Sequence, residues 1–375
     1  MGELFERFRL PSVVGEILSG ILIGPSLLGW VVANDPLRAI SSVALFFIIF
    51  HIGFEMKTQM LHGRLRAASL FSFTSFIIPL ILTTISAMFF FPFGTTENFI
   101  LSLAIAVPSL SIVSVLIWQY KLLKTTTGQI ILASVTISDV LAFIFLASIV
   151  RPIESTLAVY SEIAIFIIGF IILDTLLNRK PAVFQNFLVR SSKFKRQDFA
   201  FAFLIVIALL VAAIFQNIGL SFILGAFFAG LIVHDGLIGR KPCDKISQTL
   251  SNMNNIFFVP IFFGFAGVEV ALAGIDYLSY VGLAVLITLA LGMGVLLTYL
   301  VSKKILHKVD VVPKQLAGIL GGRGAIGIVI ASVAFGEGFL SDSGFSLVII
   351  ATLIIALLIP FLVGRKTVDE PVCIG

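Results

Sequence analysis

Asp139 lies near the middle of an apolar run spanning 127–150, within Ala133-Ser-Val-Thr-Ile-Ser-Asp-Val-Leu141. A charge at the centre of a membrane helix costs about 2.5–3.5 kcal/mol on insertion scales, so it needs a reason. Its oxygens suit a proton or a partly dehydrated cation, and the two compete for the same lone pairs. Burial disfavours the anion, which brings proton binding into that competition. Ser138 and Thr136 add hydroxyl oxygens suited to a hard cation. The blander reading is a neutral or paired structural aspartate. A second constellation, Val107-Pro-Ser-Leu-Ser-Ile-Val-Ser114, sets Pro108, Ser109 and Ser111 inside the run 98–117. Proline removes a backbone hydrogen bond and breaks or kinks a helix. The freed carbonyls and hydroxyls must then face protein or a wet cavity, where they can ligate a cation. A third, Leu320-Gly-Gly-Arg-Gly-Ala-Ile-Gly327, surrounds Arg323 with glycines that permit close crossing or local unwinding. A guanidinium cannot lose its proton, so Arg323 is read as a counter-charge to half-helix dipoles or to a carboxylate, not as a proton carrier. Glu16 either pairs with it or lies close to the inner surface. Glu55 and Glu269 fall at run ends as solvated groups, and His51 lacks metal-binding partners.

The elements that must position these residues follow from composition. Of 375 residues, 59% are hydrophobic and 12% charged, and the mean hydropathy is +1.13. A soluble domain carries about 25% charged residues, so a soluble enzyme or a nucleic-acid-binding module is excluded, and the surroundings are a lipid bilayer. Apolar runs occur at 11–33, 39–54, 67–91, 98–117, 127–150, 155–176, 197–215, 217–234, 252–274, 277–301, 315–336 and 342–364. Continuous runs near 20 residues, without alternation, predict twelve helices, not a barrel. The connections leave no room for a separate extramembrane domain. Cys243 and Cys373 make neither a disulfide framework nor a metal site, and no pattern calls for a cofactor.

The basic residues test this count. With the N-terminus inside, 22 of the 25 Lys and Arg fall in alternate inner segments; Arg38 and Arg151 lie outside, and Arg323 within a run. The positive-inside rule therefore predicts a multi-pass protein of the cell (inner) membrane with both termini cytoplasmic. The basic set between 179 and 196 records orientation and lipid headgroup contact.

A weak repeat relates the two halves at an offset near 210. Gly15-Glu-Ile-Leu-Ser-Gly20 is similar to Gly225-Ala-Phe-Phe-Ala-Gly230, and Phe50-His-Ile-Gly-Phe-Glu55 to Phe265-Ala-Gly-Val-Glu269, while Pro108-Ser109 corresponds to Gly322-Arg323. The first run thus matches the eighth and the fourth the eleventh. An odd offset of seven helices inverts one copy relative to the other, as in secondary transporters that rock one bundle against another around a midplane site. The expected division is a first repeat over 1–150, a linker helix and basic loop over 151–196, a second repeat over 197–366 and a tail over 367–375. The first repeat is expected to lack its first helix, through true absence or a late start codon.

Together these residues resemble the monovalent cation–proton antiporter superfamily, the sodium/hydrogen exchanger type, and its bacterial and archaeal second branch. The resemblance covers nearly the whole chain. Leu10-Pro-Ser-Val-Val-Gly-Glu-Ile-Leu-Ser-Gly-Ile-Leu-Ile-Gly-Pro-Ser-Leu-Leu-Gly29 looks like that branch's second helix and is the most specific stretch. Ile52-Gly-Phe-Glu-Met56, Leu224-Gly-Ala-Phe-Phe-Ala-Gly-Leu231 and Val259-Pro-Ile-Phe-Phe263 match its recurring patterns. The resemblance implies an all-α polytopic membrane fold of thirteen helices, with two inverted six-helix repeats, a linker helix and crossed broken helices at the ion site. It makes the fourth and eleventh runs the broken pair, the sixth the linker, and Asp139 the ion-binding aspartate, and it leaves family helix 1 without a counterpart. Because that helix often contributes to the family's dimer contact, homodimerisation stays open. Electrogenic members have paired aspartates where this chain has Ser138-Asp139, and a lysine on the helix matching the tenth run, where Gly292-Met293-Gly294 aligns. One titrating carboxylate and no lysine would exchange one proton for one cation without net charge movement.

The expected function is secondary antiport of Na+, with Li+ tolerated, against H+, by alternating access around Asp139 with Na+ on its oxygens. The nearest alternative is K+/H+ exchange, or a potassium-efflux subunit that would take its nucleotide-binding part from another chain. An organic-anion transporter on a related fold would need cationic groups, of which Arg323 is the intramembrane candidate. A membrane-embedded enzyme finds no paired aspartates, Ser/His arrangement or His-rich motif in the runs.

Overall fold

The computed structural model describes residues 2, 5, 12–55, 65–109, 113, 117, 122, 125–149, 196–217, 222–232, 240–272, 276–305 and 318–363. The sixth predicted run, the basic segment after it, and Ser111 lie outside the described residues. Eleven of the twelve predicted runs are helical among those residues. They are α1 (Ser12–Ile23), α2 (Asp35–Glu55), α3 (Leu65–Ser72, continued through Phe73–Ile77 into Ile78–Phe90), α4 (Thr95–Ala106), α5 (Thr126–Ile149) and α6 (Arg196–Asn217). There follow α7 (Phe222–Ile232), α8 (Arg240–Met253, Asn254–Phe258, Val259–Val268), α9 (Tyr277–Thr288, Leu289–Met293, Gly294–Ile305), α10 (Ala325–Gly336) and α11 (Asp342–Val363). The middle pieces of α3, α8 and α9 are π turns.

Local chemistry explains where helices depart from the hydrophobic runs. The first run stays apolar to 33, yet α1 ends at Ile23 because Pro25 disfavours helical geometry for its predecessor. The chain then turns through Gly29 at φ 65°, a conformation that favours glycine. The Ser26 hydroxyl ties this turn to the end of α8, donating to the Val270 carbonyl and accepting the Leu272 N–H. At its other end α8 begins twelve residues before the apolar run, as an amphipathic segment. Cys243, Ile246 and Leu250 are buried, while Asp244, Lys245 and Gln248 face out.

Among the described residues α2, α3, α5 and α9 are long and apolar enough to cross a membrane. α4 and α10 have 12 residues each, about 18 Å of helix, against a hydrocarbon core of about 30 Å. Neither spans alone, and their ends meet inside the bundle.

The inverted relation between the halves is visible in the packing. α1 lies against α8, and α7 against α2, so each half lends one helix to the other. At the first contact a Cβ on Gly20 would meet the Gly264 carbonyl oxygen at 1.9 Å, and one on Gly267 the Ile17 oxygen at 2.2 Å. At the second, a Cβ on Gly230 would meet the Phe50 oxygen at 2.2 Å and one on Gly53 the Phe227 oxygen at 2.1 Å. These are the glycines that the repeat aligns, Gly20 with Gly230 and Gly53 with Gly267. Glycine permits backbone-to-backbone approach of this kind between apolar helices.

Candidate ion-binding site

Pro108 stops α4. It offers no N–H and its ring excludes the carbonyl one turn back, so regular helix ends at Ala106, and Val107 is extended. On the other side of the site the glycines around Arg323 leave residues 321–324 out of helix before α10 begins at Ala325. The two interrupted stretches cross antiparallel: Pro108 and Arg323 form an isolated β-bridge, and the Ser109 N–H donates to the Gly322 carbonyl at 2.7 Å. Backbone groups released by the breaks thus satisfy one another, as the absence of water in a bilayer interior requires.

Arg323 is 1% exposed. Its Nη1 donates to the Gly321 carbonyl at 2.9 Å and its Nη2 to the Ser75 carbonyl at 2.8 Å. Gly321 directly follows the helical residues 318–320, so its carbonyl lies at the negative end of a helix dipole. Ser75 belongs to the π turn of α3, and Gly294 directly follows the π turn of α9. A Cβ on Gly294 would lie 3.0 Å from Nη2 and 3.5 Å from the Ser75 oxygen. The guanidinium therefore occupies the space between two π turns at matched places in the two halves. A π turn widens the helix by shifting its hydrogen bonds to i→i+5, and in α3 it directs a carbonyl at a neighbouring side chain.

Asp139 is fully buried on α5, and among the described residues neither carboxyl oxygen has a hydrogen-bond partner. α5 packs chiefly on the first part of α3 and also touches α4 and α10, the two helices of the crossing. Two contacts hold its rotation. Phe143, one turn beyond Asp139, meets Phe227 of α7 with ring centroids 4.7 Å apart. Ser138, also buried, donates to the Ser134 carbonyl at 3.0 Å, and its Oγ lies 2.8 Å from the Ser72 Oγ. Thr136 returns its hydroxyl to the Leu132 carbonyl at 2.9 Å. In addition to those of the Asp139 carboxylate, the buried oxygens without hydrogen-bond partners among the described residues include those of the Ser75, Ser109 and Thr298 hydroxyls, wherever they lie in the bundle.

The structure thus joins Pro108, Ser109 and Arg323 through backbone, and packs α5, the helix that carries Asp139 and Ser138, against α4 and α10. It does not bring Glu16 to the guanidinium, whose two bonded donors go to carbonyls. Glu16 is half-buried on α1, the partner of α8. Sequence reasoning passed over Ser72 and Ser75. The available signal was the run Phe71-Ser-Phe-Thr-Ser-Phe76, three hydroxyl residues inside an otherwise apolar helix. It also passed over Glu97 at the start of α4, which accepts the Ser341 N–H at 2.9 Å and the Ser341 hydroxyl at the start of α11.

Comparison with known proteins decides the family. The family model described as "Sodium/hydrogen exchanger, transmembrane" matches residues 1–365. This chain belongs to the sodium/hydrogen exchanger family. Among relatives, it is 24% identical to the Na(+)/H(+) antiporter NhaS4 of Synechocystis, over 94% of this chain and 90% of that protein. It is 22% identical to the Na(+)/H(+)-K(+) antiporter GerN of Bacillus cereus, over 96% of this chain and 90% of that one. The sodium proton antiporter MjNhaP1 of Methanocaldococcus jannaschii superposes with a TM-score of 0.71 at 15% identity, covering 95% of this chain and 91% of its own. The exchanger fold, all helical among the described residues, with inverted halves and crossed broken helices, is the fold of this chain.

Proposed function

We propose that the protein is an electroneutral antiporter that exchanges Na+, with Li+ tolerated, for H+ at Asp139. The observation that carries this reading is the fully buried carboxylate of Asp139, whose two oxygens have no hydrogen-bond partner among the described residues. An acid held in that state gains most from a proton or a cation on its oxygens, because either replaces the lost solvation. The carboxylate, with Ser109 and the carbonyls of the crossing, would hold the cation. Arg323, with its two donors on carbonyls, would compensate the dipoles of the crossing whatever Asp139 holds. Exchange would follow from competition: one proton or one monovalent cation at a time, presented to either side as the halves rock.

The division into a first repeat over 1–150, a linker with basic loop over 151–196 and a second repeat over 197–366 is part of the same reading, supported by the matched glycine contacts. So is a cell-membrane location with both termini cytoplasmic, supported by the distribution of Lys and Arg. A K+/H+ reading is favoured by one observation, the potassium in the name of the Bacillus cereus relative. Proteoliposomes loaded with a pH gradient and challenged with Na+, Li+ and K+ test both readings. Dissipation by Na+ and Li+ that is lost in Asp139→Asn is the expected result. Activity retained in Asp139→Asn would remove the mechanism, dissipation by K+ alone would replace Na+ with K+, and a strong dependence on membrane potential would refute electroneutrality.

A further inference from the structure

In an apolar helix a serine or threonine ordinarily returns its proton to its own backbone, three or four residues back. Thr74, Thr83, Ser102, Ser134 and Thr136 do so. Ser72 is built differently. It is 1% exposed, and its Oγ lies 2.8 Å from Ser138 Oγ on the neighbouring α5. A hydroxyl has one proton to donate and two lone pairs. With the Ser138 proton on the Ser134 carbonyl, the contact between helices needs Ser72 as donor, and it occupies one lone pair of Ser138.

The neighbours of Ser72 give this contact its interest. Ser138 immediately precedes Asp139. Ser72 immediately precedes the π turn Phe73–Ile77, and within that turn the Ser75 carbonyl accepts Arg323 Nη2 at 2.8 Å. Residues 72–75 are thus tied on one side to the acid-bearing helix and on the other to the guanidinium at the crossing. A shift of this stretch would move both.

We propose that Ser72 is a positioning residue for the cation site: by donating to Ser138 it holds the rotation of α5 at Asp139 against the crossing, and so sets the size of the oxygen cage and the preference among monovalent cations. This rests on the cation-exchange reading of Asp139. Ser72 acts through Ser138 and does not touch the ion. Cation preference depends on the number and spacing of the coordinating oxygens, so an inter-helix hydroxyl contact beside the carboxylate changes preference before it changes turnover.

The test uses the full chain in proteoliposomes, with initial rates of H+ movement measured against Na+ and Li+ concentration. It compares the parent with Ser72→Ala, Ser72→Cys, Ser138→Ala and the double variant Ser72→Ala/Ser138→Ala. Ser72→Ala is expected to change the ratio of the KM values for Na+ and Li+ by about fivefold, the scale of one lost hydrogen bond, with kcat within about twofold. In the Ser138→Ala background the same substitution is expected to change nothing further, since neighbouring groups that act as one unit are not additive. Ser72→Cys, nearly isosteric and a weak donor, should move the ratio in the same direction by less, and it decides the matter if Ser72→Ala does not fold. An unchanged ratio in a folded variant would overturn the proposal. So would an equal effect in the Ser138→Ala background, or a fall in kcat at constant KM. A parent that exchanges normally while Ser72 proves indifferent sinks this proposal alone; a parent that moves protons with no cation sinks the exchange reading as well.

Discussion

The two breaks that meet at the crossing are related by the same offset as the rest of the molecule, yet they work differently. The break after α4 is imposed by Pro108, and it contributes main chain: the Ser109 N–H bonds Gly322, while the Ser109 hydroxyl has no partner among the described residues. The break before α10 lies among glycines and contributes a side chain, the Arg323 guanidinium held by two carbonyls. The acid is equally one-sided. The offset that carries Pro108 and Phe73 onto Gly322 and Leu289 carries Asp139 onto Leu353–Ile355 of α11, where every side chain is apolar. The halves therefore share their packing and divide the charges, one contributing the carboxylate and the other the guanidinium. Symmetry supplies the scaffold, and the chemistry lies in the departures from it.

The largest test of this division compares the crossing's side chains. Arg323→Ala leaves two buried carbonyls without their charged donor, and at about 1.5–3 kcal/mol for each bond to a charged group it should cost about 3–6 kcal/mol. Ser109→Ala removes a hydroxyl without a partner and should cost less than about 1 kcal/mol. Equal losses in reversible unfolding in bicelles would break the comparison. Next come the shared contacts. Gly20→Ala and Gly230→Ala both drive a Cβ into a backbone oxygen, so each should cost about 3 kcal/mol, the upper end for overpacking. A cost confined to one of them would show that the halves do not share that packing.

A smaller contrast separates two glycines of α9. Gly294→Ala presses on Arg323 Nη2, whereas a Cβ on Gly292 meets nothing within 4 Å. The first should lower the melting temperature, by about 1–2 kcal/mol of overpacking. The second should leave it unchanged or raise it slightly through better helix propensity. The smallest effect lies outside the membrane segments, at the cap of α9. Asp276 Oδ1 accepts the Ser279 N–H at 3.2 Å, and hydrogen bonding from Ser279 holds this carboxyl below the usual carboxylate range. A depressed acid stabilises above its unfolded pKa and loses that contribution as pH falls through the folded value. Melting temperature should therefore drop below about pH 4 in the parent and lose that increment in Asp276→Ala.

What the sequence determined by itself is the part carried by residue type alone. Apolar runs without alternation predict helices in lipid, Pro108 predicts a break or kink in one, and a carboxylate in the centre of a run marks Asp139 as a candidate site. The glycines of the repeat belong here too, because close helix contact needs them wherever they fall. Tertiary structure alone decided the hydrogen-bond register and the partners. The π turns of α3, α8 and α9 leave no trace in composition, since a shift from i→i+4 to i→i+5 changes no residue. Glu269, expected as a solvated end group, is 11% exposed at its side chain and bonded to Arg38 at 3.3 Å, a pairing of residues far apart in sequence. Arg323 could be read as a counter-charge but not assigned its carbonyls, and Ser72 could not be matched with Ser138. A side chain's type sets which bonds it can make, whereas the bond it does make depends on which helix the packing brings opposite it.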